Sequence, residues 1–165
     1  MTGTTLPTMA SLTLADLKLS IRGPSEGWRA NPIDEQRFRL YGPEQPDRND
    51  YSPTMSFGLD APEGSGEAWF DEFTTQAVEQ MQSGYTNFWL NRQESYELSS
   101  MVPVHAVWFE WIDDDSGMHF VQLQAFIPVS PFEIYLVNAA TLKPIEHEFV
   151  PIFDSILRSA RILRS

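Results

Sequence analysis

Along this chain the spacing of apolar side chains switches between two periods. Residues 16–22 alternate Leu17, Leu19 and Ile21 against polar neighbours, the pattern of a half-buried strand. Residues 36–41 resume the alternation through Phe38 and Leu40, and residues 54–59 through Met55, Phe57 and Leu59. Two long apolar segments, 104–112 and 118–128, flank the stretch Asp113-Asp114-Asp115-Ser116-Gly117, which reads as a glycine-containing hairpin loop. In the first segment Val104, Ala106, Trp108 and Ile112 share one parity, and Val107, Phe109 and Trp111 the other. A strand apolar on both parities is covered on both faces. Residues 132–137 form a further strand after Ser130-Pro131, and 85–90 and 94–100 read as two more.

The period changes to 3.6 twice. From Ser65 to Ser83, Phe70, Phe73, Ala77 and Met81 form one stripe; Ser65 is the expected N-cap, and Gly84 the stop. Glu67, Asp71 and Glu72 crowd the first turns, where the helix dipole favours negative charge. From Glu146 to Ala160 the stripe is Phe149, Ile152, Phe153, Ile156 and Leu157, with Pro151 in about the first turn. Residues 1–11 are polar and read as a flexible lead-in, and 42–53, with three prolines, as a loop. The expectation is one α+β domain over 12–165, with a mainly antiparallel sheet of six or seven strands between two main helices.

Composition narrows the function. The 165 residues are 42% hydrophobic and 13% aromatic, enough for a substantial core. Zero cysteines exclude disulfides, thiolate metal sites and a cysteine nucleophile. Residues 1–20 lack a basic start and a continuous apolar run, so no leader is expected, and no stretch has the length of a membrane span. A cytoplasmic location is therefore the expectation. Net charge is −12, from 23 acidic and 11 basic side chains. The only concentration of Arg, at 158, 161 and 164, reads as helix-end charge. Nucleic acid is therefore not an expected partner.

Reactive chemistry is thinly represented. Gly23-Pro24-Ser25-Glu26-Gly27 matches G-x-S-x-G, but that motif works at a strand-to-helix turn, and here another strand follows. A serine hydrolase using Ser25 with His105 or His119 is the competing enzymatic reading. The three adjacent acids of 113–115 lack the alternation of a calcium loop. Gly64-Ser65-Gly66 lacks the third glycine or lysine of a phosphate loop. His105 and His119 lie in facing strands with no third ligand fixed beside them, and His147 lies between Glu146 and Glu148 at a helix start. No cofactor and no metal is expected. Trp69, Tyr85, Phe88 and Trp89 are aromatics outside the main stripes; they read as peripheral core or as a binding surface.

The order of these features resembles the PsbP-like family, which includes the photosystem extrinsic protein, the fungal Ran-binding factor of the Mog type and bacterial DUF1795-like proteins. The resemblance rests on Pro24 and Trp28 (P-x-x-x-W), Phe38 and Leu40, Phe70 and Phe73, the aromatic hairpin, and Ile134 to Val137. It ends on Phe153-Asp154-Ser155-Ile156-Leu157-Arg158-Ser159-Ala160-Arg161, similar to F-x-x-I-x-x-S-F-R with Ala160 in place of the aromatic. The resemblance implies an α/β/α sandwich, no catalytic residues, and members that hold other proteins. These include secreted lipoproteins and chaperones that shield apolar segments of secreted effectors; the missing cysteine sets this chain apart from the lipoproteins. The expected function is a non-catalytic adaptor or chaperone presenting an apolar surface, with Trp69, Tyr85 and Trp89 as partner-binding residues. The acidic surroundings favour a partner segment with basic flanks. A homodimer is left open. The alternative, a carrier of an apolar small ligand, predicts an internal cavity.

Overall fold

The computed structural model describes residues 7–14, 17–61, 69–99, 101–130 and 133–163. The central hairpin forms as its pattern requires. Strand β7 (Pro103–Ile112) pairs antiparallel with β8 (His119–Ser130), setting Val107 opposite Gln124 and Ile112 opposite His119. The turn closes on Asp113, whose carboxylate accepts the Ser116 N–H (3.1 Å) and hydroxyl (2.7 Å). Gly117 follows at φ 74°, a left-handed conformation that suits glycine. Strand β9 (Glu133–Leu142) adds beside β8, then come β5 (Thr54–Asp60), β4 (Arg37–Tyr41) and the edge strand β3 (Arg29–Asp34). On the far side of β7 lies β6 (Trp89–Glu97). The result is a seven-stranded sheet of order β3-β4-β5-β9-β8-β7-β6, antiparallel throughout. A second, three-stranded sheet has the order β1-β2-β10, from β1 (Met9–Leu14), β2 (Leu19–Pro24) and β10 (Arg161–Ile162).

Both faces of the main sheet are covered, unequally. Helix α2 (Glu146–Arg158) lays Phe149, Ile152, Phe153, Ile156 and Leu157 on one face, each at most 5% exposed. It shares that layer with the small sheet, which contributes Leu14, Leu19 and Ile21. Trp28 meets Phe149 and Phe153 edge-on, with centroids at 6.1 and 6.3 Å, so the P-x-x-x-W feature fastens the chain before β3 to α2. Ala160, where the family pattern has an aromatic, is fully buried in this core. The Tyr135 hydroxyl donates to the Leu17 carbonyl and ties β9 to the connection just before β2. Helix α1 (Trp69–Gly84) covers the other face around Val107, Phe109, Phe126 and Ile134, but of its apolar stripe only Met81 is fully buried. The architecture is an α/β/α sandwich around a seven-stranded antiparallel sheet.

Several expectations need correction. Met9–Leu14 is a strand held by β2, so part of the expected lead-in belongs to the fold. Arg29–Asp34, unread as a strand, pairs with β4. Tyr85 is not in a strand: residues 85–90 and 94–100 resolve into the single strand β6, with a register shift between Leu90 and Arg92. Helix α2 starts at Glu146 as expected, and Pro151, its sixth residue, falls in the second turn. The expected N-cap Ser65, with Gly64, Gly66 and Glu67, lies outside the described residues, as do Asp16, Pro131, Phe132 and Arg164.

Candidate interaction surface

Partners across an antiparallel pair share a face, so the register sorts every side chain of the main sheet. On the α2 side one row across the strands reads Leu40, Met55, Ala139, Leu123 and Trp108, all at most 4% exposed. On the α1 side the neighbouring row reads Asn31, Arg39, Ser56, Asn138, Gln124 and Val107. Five of these six are polar, although β5, β9 and β8 are interior strands. The reason is coverage. The apolar contacts of α1 lie over β7, β8 and the start of β9, whereas Ser56, Gly58, Asn138 and Ala140 are only half-buried. Among the described residues, the part of this face beyond α1 is a half-buried floor crossed by a polar row, with Tyr51 packing on Phe120 at its end.

One border of the floor is a hydrogen-bonded cluster. Gln122, 5% exposed, accepts from the Trp111 indole N–H (2.9 Å) and donates to the Tyr85 hydroxyl (3.0 Å) and Asn138 Oδ1 (2.8 Å). Gln124 donates to the same hydroxyl at 3.2 Å. The Tyr85 ring packs on Phe109 (5.0 Å) and Trp111 (5.2 Å), so its apolar body closes the α1 core while its hydroxyl faces the amides. The opposite border is cationic. The guanidinium groups of Arg29 and Arg39 lie over the Tyr41 ring at 5.2 and 5.9 Å.

The three aromatics expected to bind a partner do not share one surface. Trp69 begins α1 and packs edge-on against Phe70 (5.8 Å) and Phe73 (6.5 Å). Tyr85 follows the other end of that 16-residue helix, about 24 Å away. Trp89 is opposite Glu110, which puts it on the α2 side, 39% exposed and 5.0 Å from the His119 ring. Among the described residues the exposed large apolar side chains form no patch: Trp89 and Leu90 are neighbours on β6 but face opposite sides of the sheet, and Ile33, Met101 and Leu163 lie on other segments.

Beside Trp89 is a charged cluster. Glu110, 4% exposed, accepts from His119 Nε2 at 2.7 Å and Lys143 Nζ at 3.2 Å. Burial opposes its charge, but hydrogen bonds from Asn91, Lys143 and His119 outweigh that and hold its carboxyl below the usual carboxylate range. Lys143 also reaches Glu146 at 2.9 Å, and that contact, with Glu110, raises its ammonium above the ordinary value. Every charge here has a protein partner, which marks a structural cluster tying β7, β8 and α2 together.

The reactive candidates are dispersed. Ser25 donates its N–H (2.9 Å) and hydroxyl (3.1 Å) to the Thr8 carbonyl, and β3 rather than a helix follows it. Neither expected base is its partner. His105 lies on the α1 side, with Nδ1 at 2.9 Å from Ser95 Oγ and Nε2 at 2.8 Å from Gln93 Oε1. Burial lowers its pKa, with Asp71 opposing. His119 lies on the other face, so the two rings do not meet. Among the described residues no group of three His, Asp or Glu side chains is placed to hold a metal ion. Asp113 and Asp114 serve the turn, the latter accepting from Asn87 at 2.9 Å. Arg158 is engaged by Asp154 (3.0 Å) and Glu94 (2.8 Å), and Arg161 pairs with Ser20.

Two surface hollows lie between β1 and the β3–β4 edge, about 210 Å³ near Leu12 and Trp28 and about 110 Å³ near Leu14 and Phe38. Both are below the roughly 300 Å³ at which small-molecule pockets begin. The nearby edge of β3 carries Pro32 and an irregular register, features that discourage edge pairing.

No family model and no curated protein sequence matches this chain. Solved structures do match it in fold. LpqN, involved in cell envelope biogenesis of Mycobacterium tuberculosis, superposes with a TM-score of 0.69 at 14% identity, over 95% of this chain and 91% of that one. The Ran-binding protein Mog1p of Saccharomyces cerevisiae gives 0.59 at 9% identity, over 96% and 97%. The cyanobacterial PsbP of Synechocystis gives 0.60 at 10% identity, over 98% and 96%. At these identities the likeness establishes the fold, which is the Mog1p and PsbP-like one. No helix among the described residues is long and apolar enough to cross a membrane.

Proposed function

We propose that this protein is a non-catalytic binding module, an adaptor or chaperone that holds a segment of a protein partner against the open half of its main sheet. The observation that carries this is the polar row Arg39, Ser56, Asn138 and Gln124, laid across interior strands beside α1 and, among the described residues, no more than half-buried. Interior strands of a monomer's sheet are ordinarily packed over, and a preformed floor bordered by amides and arginines suits a polar main chain better than an apolar surface. Mog1p, a Ran-binding protein of the same fold, is a precedent for work on a protein partner. Tyr85 borders this surface, whereas Trp69 and Trp89 stand outside it. The hollows beside β1 are too small to favour the apolar-ligand carrier. Ser25, without a histidine partner, does not favour the hydrolase.

Photo-crosslinking tests the proposal. A benzophenone side chain placed at Ser56 should form adducts with a protein in source cells, while one at Glu79 on the exposed back of α1 should not. Failure to crosslink from Ser56, or equal yields from both positions, counts against it.

A further inference from the structure

We infer that the partner segment is acidic, contrary to the basic flanks that the net charge alone suggests, and that its carboxylates dock on the Arg29–Tyr41–Arg39 cluster at the β3–β4 end of the open floor. The inference rests on the proposed binding function and adds the chemistry of what is bound. Arg29 is opposite Tyr41, and Arg39 is two residues before Tyr41 on β4, so all three side chains leave the same face of the sheet. The two guanidiniums share the Tyr41 ring, and neither has an ion pair among the described residues. Arg37, Arg92, Lys143 and Arg158 are each bound to a carboxylate; Lys18, Arg22, Arg48 and Arg161, like Arg29 and Arg39, have no ion pair among the described residues, but only Arg29 and Arg39 share one aromatic ring. A chain with 23 acids and 11 bases leaves two exposed guanidiniums unneutralised side by side.

A cation–π contact holds both guanidiniums close to Tyr41 without using up their N–H groups, which stay free for two-point bonding to a carboxylate. At physiological salt, charges further than about 8 Å away are largely screened, so the local pair outweighs the distant acids of the chain. From β4 to β8 the floor spans three strand spacings, about 14 Å, which four or five extended residues cross. Such a segment, with Asp or Glu at its β4 end, would lay its backbone over Ser56 and reach the Asn138 and Gln124 amides. A phosphate backbone is disfavoured, since two cations give little counterion release against a net charge of −12.

The test uses the full chain and a fluorescein-labelled dodecapeptide of alternating Glu and Ser, followed by anisotropy. The peptide should bind, and the double variant Arg29→Gln/Arg39→Gln should bind about tenfold or more weakly, a loss of roughly 1.4 kcal/mol. Arg161→Gln should bind as the parent does, and added salt should weaken the parent complex. The inference is overturned if the peptide does not bind at about millimolar concentration, or if a Lys/Ser dodecapeptide binds better. It is likewise overturned if inorganic phosphate or an oligothymidylate competes fully with the peptide, or if sedimentation shows a second copy of the chain occupying the cluster. Adducts from Ser56 that survive the double substitution would sink the acidic-partner inference and leave the binding module standing. Absence of adducts from the parent protein would remove the binding module itself.

Discussion

The two helices carry stripes of similar make-up but unequal burial, and Phe153→Ala and Phe73→Ala measure the difference. Phe153 is 1% exposed, between the sheet and the edge of Trp28. Its truncation forfeits the transfer free energy of a whole ring and leaves a cavity, about 3–5 kcal/mol together. Phe73 is half-buried, with Phe126 edge-on at 5.4 Å and Trp69 at 6.5 Å. Solvent already reaches part of this ring and can fill the space it leaves, so the cost is about 1–2 kcal/mol. At roughly 2–4 °C per kcal/mol for a chain of this size, Phe153→Ala should lower Tm by roughly 6–20 °C and Phe73→Ala by roughly 2–8 °C. Calorimetry on both variants gives these values, and urea titration with unchanged m confirms that the folded state is intact. Hydrogen exchange should show α1 amides opening before those of α2. If Phe73→Ala costs as much as Phe153→Ala, or α2 exchanges first, then α1 is no weakly held cover and the unequal packing is wrong.

Three further outcomes follow. Glu110→Gln should cost about 1–3 kcal/mol at pH 7 by removing a buried, multiply bonded carboxylate. The folded pKa lies below the unfolded one, so this deficit, read by urea denaturation, should hold above about pH 4.3 and shrink as pH falls through the folded value. Gly117→Ala should cost about 1–2 kcal/mol purely through φ 74°, because an added Cβ meets nothing within 4 Å; equal thermal stability would refute that. Burial pushes Tyr51 and Tyr96 up to about 12, so ultraviolet titration should show two phenols ionising late. Their contribution to stability is present below about pH 10 and is lost as pH rises towards 12.

Periodicity was informative wherever one side of an element faces the core. The α2 stripe and the hairpin around 113–117 formed where the pattern put them, because burial alone selects those residues. Strand β3 gave no such signal: all six of its residues are exposed, and only pairing with β4 makes it a strand. Met9–Leu14 does carry a core parity in Leu12 and Leu14, but so short an alternation inside a Thr- and Ser-rich stretch reads as a lead-in, and pairing with β2 is what makes it a strand. Tyr85 misled because an aromatic beside Phe88 and Trp89 suggests a strand, whereas its ring folds back under the end of α1. The polar row leaves a trace in the sequence. Gln122 and Gln124 recur at one parity within an apolar strand, and Arg37 and Arg39 do so on β4. Which strands bring those parities together, and which part α1 leaves uncovered, depends on long-range pairing that local spacing does not encode.

The open floor is tested most directly by the side-chain amide NMR signals of Gln122, Gln124 and Asn138, followed as the Glu/Ser dodecapeptide is added. They report on the polar row itself, and on the network to Tyr85 and Trp111 beneath it. Binding on the open half of the sheet predicts saturable shifts in the Gln124 and Asn138 amides, together with the Arg39 Nε–H, while Asn91 beside Glu110 on the other face stays unmoved. Shifts confined to Asn91 and its surroundings, with the Gln124 and Asn138 signals unchanged at saturation, would contradict it.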